Sequence, residues 1–179
     1  LKNFHATHYH PSNSRFFTYG TFPLEDHLQY INDNYLQKFD KINIDTSVPN
    51  EPRWSTAKSH HITCQPDPMA PDPAKQTTVS TSFLMTDISN TFESFTLSII
   101  GALLTDGENS PFYQSLLVPG IGSDYSPVTG YHGDTKDTIF SVGLQGIDTN
   151  DKDKVLGIIS DTLEQVVSDG FDHRRIDAL

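Results

Sequence analysis

The densest group of side chains able to hold a metal lies at the start of the sequence: His5, His8 and His10 in HATHYH. Three imidazoles on one zinc ion, with a fourth position open to water, would make a hydrolytic centre. The spacing argues against it. Residues three apart share a helix face, but His10 follows only two positions later, where Pro11 breaks the helix, and no carboxylate stands at the distance zinc hydrolases use for a general base. Packing or capping is the better reading of these histidines. His60 and His61 are adjacent, so an extended chain points them to opposite sides and they do not readily share an ion. The H-x-x-E-H frame, in which two helical histidines bind zinc and the glutamate activates water, is absent from the 179 residues.

No nucleophile arrangement replaces it. Ser110 and Ser126 each precede a proline and read as capping or turn residues. Gly120, Gly122, Gly130 and Gly133 match neither glycine frame that cradles phosphate and read as turn glycines. Cys64 is the sole cysteine, which rules out an intrachain disulfide, fits a reducing compartment and suggests a small buried apolar residue. The remaining candidate is Gly130, Tyr131, His132, Gly133, where a glycine-flanked aromatic can offer a flat apolar face to a peptide. Tyr131 and Gly130 are the substrate-binding candidates, with an ordinary core or edge role for Tyr131 as the competing reading.

These residues sit in a helix, crossing and ribbon from Ser110 to Gly146. Ser110 and Pro111 are a helix start, Pro119 and Gly120 a stop, and Phe140, Val142 and Leu144 alternate with Ser141, Gly143 and Gln145 as in a half-buried strand. Upstream, Leu1 to Tyr9 reads as the end of a helix with Phe4 as its clearest apolar contact. Arg15 to Tyr19 is aromatic enough for a strand, and Pro23 opens a helix with Leu24, Leu28, Ile31 and Tyr35 on one stripe. Asp40 to Lys58 has the Asp, Asn, Ser, Thr and Pro composition of a linker, with Trp54 as an anchor that packs one end down. His61 to Cys64 is a short strand candidate. In Lys75 to Met85 the residues Thr77, Val79, Thr81, Phe83 and Met85 share a face, with Leu84 on the other. Asn90 and its neighbours cap a helix whose broad buried face holds Phe92, Phe95, Ile99, Ile100, Leu103 and Leu104. A last full helix follows Asp148 to Asp151, with Val155, Ile159, Leu163 and Val166 inward, Ile158 and Val167 flanking and Gly170 as terminator; another begins at Asp172 and includes Ile176 and Leu179.

The fold class implied is α+β, an antiparallel sheet covered by helices on one face, because strands and helices mix without strict alternation. The division expected is residues 1–40 as the remnant of a preceding domain, 41–58 as linker and 59–179 as a second domain cut short at its C-terminal end. A chain of this size buries roughly two-thirds of its unfolded surface, so a true core is expected. The net charge of −11 and pI near 4.9 disfavour a phosphate-backbone partner, so no nucleic acid is expected. No apolar run approaches the ~20 residues that span a bilayer, so no membrane partner is expected either.

The wording of FYQSLLVPGIGSDYSPVTGYHGDTKDTIFSVGLQGI, together with LKNFHATHYHPSNSRFFTYGTFPLEDHL, resembles the pitrilysin-type, inverted-zincin metallopeptidases, the first segment their second domain and the second the end of their first. The resemblance covers almost the whole chain. It implies sheet-and-helix domains around a closed chamber in which zinc-activated water hydrolyses mitochondrial targeting peptides and other short unstructured peptides, in the mitochondrial matrix. It also implies that the zinc motif and the assisting residues lie outside residues 1–179. This stretch would then be a non-catalytic chamber wall and scaffold, inactive alone, with no zinc of its own and with the remaining domains of the same chain as partners. The alternative is a structural or core subunit of the same fold that has lost the zinc motif.

Overall fold

The computed structural model describes residues 1–178. The chain divides into two compact units, Leu1–Val48 and the residues from Pro49 onward. The expected last helix is present as α5 (His173–Ile176), and the part of that expectation resting on Leu179 lies outside the described residues.

The first unit holds α1 (Lys2–His8), a 3₁₀ turn at Pro11–Asn13, α2 (Leu24–Asn34) and a second 3₁₀ turn at Leu36–Lys38. Glu25 and Asp26 in the first turn of α2 suit the positive end of its dipole. No residue of this unit is buried: Leu24 and Leu28 on the apolar stripe of α2 are 63% and 58% exposed, and Phe4 is 58% exposed with His8 stacked on it. Arg15 to Tyr19 is not a strand. Its aromatics have the propensity, but no other extended segment of the unit offers it a ladder, and a strand without a partner leaves its backbone unpaired.

The second unit carries the core. No helix or strand occurs between Lys38 and Thr77, so His61 to Cys64 is irregular and joins no strand of the sheet. Cys64 is exposed rather than buried, and Trp54 is half exposed, with Lys58 Nζ over its ring at 4.0 Å. The proline-rich loop forms two consecutive turns, in which Asp67 and Asp72 each accept from an N–H two residues on while their carbonyls close the turn.

β1 (Thr77–Asp87) and β4 (Asp137–Ile147) form a long antiparallel pair, with Val79 opposite Leu144, Thr81 opposite Val142 and Phe83 opposite Phe140. The short strands β2 (Asp124–Tyr125) and β3 (Gly130–His132) pair with the other edge of β4. Gly146, at φ +67°, is the extra residue of a bulge that returns Ile147 to the core side after Leu144. α3 (Thr91–Thr105) and α4 (Lys152–Asp169) cover one face, and their side chains close with Phe112 and Leu116 over Phe140, Val142, Leu144 and Ile147. The fold is α+β, as the alternation indicates. Among the described residues no helix is long and apolar enough to cross a membrane.

Two helices differ in detail from the periodicity. The residues after Ser110 start as expected, with Ser110 Oγ accepting from the Tyr113 N–H, but Tyr113–Leu117 is π-helical and Val118 N–H bonds back to Tyr113 O. Pro119, which has no N–H, ends it. In α3 the buried residues are Ser94, Gly101 and Thr105, with Leu103 and Leu104 as expected. Phe92 and Phe95 are 82% and 66% exposed. Small residues win the inner face because α3 lies close on β3, as described below. Val167 of α4 likewise points outward at 87% exposure.

Candidate functional site

Three strands place a row of aromatic rings on the helix-covered face: Phe83 of β1, Phe140 of β4 and Tyr131 of β3 stand in register. Phe83 and Phe140 stack with centroids 6.5 Å apart, and Phe112 stacks on Phe140 at the same distance. α3 comes down on this row through Gly101, where an added Cβ would lie 2.9 Å from Tyr131 Cβ. About two turns nearer its N-terminus, Ser94 Oγ and the Tyr131 hydroxyl share a 2.7 Å hydrogen bond. Between α3, α4 and the row remains an open apolar cavity of about 210 Å³, walled by Phe83, Met85, Leu97, Ile100, Tyr131 and Leu163 among others.

Tyr131 therefore has two attachments, a polar one at its hydroxyl and an apolar one along its ring, and it is half-buried. Gly130 precedes it at φ +122°, a conformation that side-chain-bearing residues rarely adopt, and nothing lies within 4 Å of where its Cβ would be. The neighbouring His132 is tied to Val128, its Nε2 lying 2.9 Å from the carbonyl oxygen. Tyr125, on the same face as Tyr131, is pushed up to about 12 by burial, and its hydroxyl donates to Thr105 O. Such a phenol stays neutral and works as a hydrogen-bond donor. Nothing in the cavity is poised to exchange a proton or attack a carbonyl; its chemistry is that of apolar contact.

The histidines at the start do not converge. His5 stacks on Tyr9 at 4.5 Å and His8 on Phe4 at 4.3 Å, while His10 Nδ1 accepts from Ser12 N–H and its ring meets the edge of Phe39. Among the described residues no three His, Cys, Asp or Glu side chains are gathered so that they could hold a metal ion. The zinc of the resembled peptidases thus has no fitting ligand set here, and no step is assigned to it in this chain.

A polar cluster that no sequence motif marks lies at the other end of the β1–β4 pair. Asp87 and Asp137 face each other at the last register pair, and Asp137 is 6% exposed. Its Oδ2 accepts from Glu51 N–H at 2.6 Å, and its Oδ1 from Asn50 Nδ2 and Arg53 NH2, each at 3.1 Å. Asp87 Oδ2 takes Lys136 Nζ at 2.9 Å and the same Asn50 amide at 3.0 Å. These donors hold both carboxyls below the ordinary range: for Asp87 chiefly Lys136, then Ser89 and Asn50; for Asp137 chiefly the Glu51 amide, then Asn50.

The sequence compares with known proteins as follows. Residues 1–179 match the family model described as the Peptidase M16 inactive domain. The chain belongs to that family. Presequence protease, mitochondrial, from Mus musculus is 53% identical over 179 residues, and its namesakes from Xenopus tropicalis and Gibberella zeae are 51% and 40% identical over 179 and 177 residues. Each match takes in 99–100% of this chain but 17% of the relative, so the chain spans about a sixth of the length of these M16 proteins. Among solved structures, an inactive peptidase domain from Bordetella parapertussis superposes with a TM-score of 0.49 at 18% identity, over 56% of this chain and 54% of that one.

Proposed function

We propose that this M16 inactive domain is the non-catalytic chamber wall and scaffold of a zinc metallopeptidase that degrades mitochondrial targeting peptides and other short unstructured peptides in the mitochondrial matrix. The observation that carries this reading is the match of the whole chain to relatives named as mitochondrial presequence proteases, at up to 53% identity, by a sequence with no H-x-x-E-H frame. By itself the chain cleaves nothing. Residues 1–40 finish a preceding domain, 41–58 connect, and 59–179 begin the second domain, whose partners are the other domains of the parent.

Within that wall, Tyr131 and Gly130 contact the peptide. Tyr131 is held from behind by Ser94, which leaves its ring to one side of an apolar cavity, and Gly130 leaves open space beside it. An apolar side chain of an unfolded peptide gains by leaving water for such a surface. Replacing Tyr131 by Ala in the complete protein should raise the KM for an unstructured peptide about tenfold, the equivalent of one lost apolar contact of ordinary size. Unchanged cleavage would remove Tyr131 from the site.

A further inference from the structure

Residues 39–76 contain no regular element, yet their attachment is uneven. The hydrogen bonds of residues 54–76, among the described residues, are all local to that loop. Ser47 bonds to Asp45, and Ile42 bonds back to Ser12 in the first unit. Between these stretches, Asn50, Glu51 and Arg53 all bond to the end of the β1–β4 pair, through two side chains and one backbone amide. The receiving carboxylates are a like-charged pair on opposing strands, a pairing that is unfavourable unless donors and cations intervene. Lys136 supplies one cation from the turn before β4. Ser89 N–H and Oγ donate to Asp87, whereas the other cation, the bridging amide and the N–H on Asp137 come from the incoming segment, so Asp137 is completed by residues 50–53.

We propose that Asn50–Arg53 is a latch: it closes on Asp87 and Asp137 and fixes how much of the connecting segment is free, separately from the folding of the core behind it. Closed, the second unit begins at Pro49. Open, it begins at β1, and the free connection lengthens to the whole stretch from Pro49 to Gln76. The closing interactions are charge-assisted and mostly to one nearly buried carboxylate, while Arg53 itself is 53% exposed, so the latch can be undone at Arg53 without opening the core.

The test uses the 179-residue chain and the substitutions Arg53→Ala and Asp137→Asn. Amide exchange should speed up about tenfold or more at Glu51, the equivalent of a lost hydrogen bond to a charged group, while Val142 and Leu144 keep their protection. Unchanged exchange at Glu51 would overturn the latch, because the segment would then be held by something else. Core amides losing protection in step with Glu51 would overturn it equally, since the cluster would be part of the core. If Asp137→Asn does not fold, Arg53→Ala decides on the same readouts.

Discussion

The two units answer the same physical demand in opposite ways. α2 and α4 both carry an apolar stripe, but α4 sets Val155 and Ile159 at 0% and 2% exposure against a sheet, whereas Leu24 and Leu28 of α2 meet no second layer within their unit. The first unit is held mostly by local means, capping bonds such as Ser12 N–H to His10 Nδ1 and ring stacking along α1, with one longer tie in which Ile42 N–H donates to Ser12 Oγ. The second is held by burial. Amphipathic periodicity specifies a helix, and only a facing layer turns that helix into stability.

Core truncation should separate the two most sharply. Leu116→Ala, at a side chain with 0% exposure, should destabilise the second unit by about 2–5 kcal/mol, while Leu28→Ala should change unfolding by no more than about 0.5 kcal/mol. Urea titration of each variant measures both. Equal effects would mean the units share one core. A smaller effect is expected where α3 touches β3. Gly101→Ala adds a methyl that Tyr131 must yield to, costing about 1–3 kcal/mol, offset by up to about 1 kcal/mol of helix propensity, and it should weaken the Ser94–Tyr131 bond.

The smallest effect concerns pH. Asp87 and Asp137 have folded-state values below the unfolded ones, so their stabilisation is complete above the ordinary carboxylate range and is lost as pH falls through and below it. Thermal melts of the second unit should show this acid-side loss, flattened in Arg53→Ala. An identical acid profile in the variant would contradict the assignment.

What the sequence revealed follows from which interactions are local. β4 was legible because Phe140, Val142 and Leu144 alternate, and β1 because Val79, Thr81 and Phe83 do. α4 showed itself through Val155 and Ile159. The inner face of α3 was not legible in the same way: hydrophobicity pointed to Phe92 and Phe95, but close approach to β3 selects Ser94 and Gly101, a preference that depends on a residue 30 positions further along. Arg15 to Tyr19 and His61 to Cys64 had strand composition but join no ladder. The cavity beside Tyr131 draws on β1, α3, β3, β4 and α4, so no local pattern could outline it, although the glycines around Tyr131 did mark its position. The latch joins residues more than 80 positions apart and left no motif.

The central claim, that this M16 domain is a non-catalytic part of a peptide-degrading machine, is tested most directly by assaying the purified 179-residue chain for zinc content and for cleavage of an unstructured basic peptide in one experiment. The account predicts no stoichiometric zinc and no turnover, with activity appearing only in the complete protein. One zinc per chain accompanied by turnover would contradict it and return attention to His5, His8 and His10.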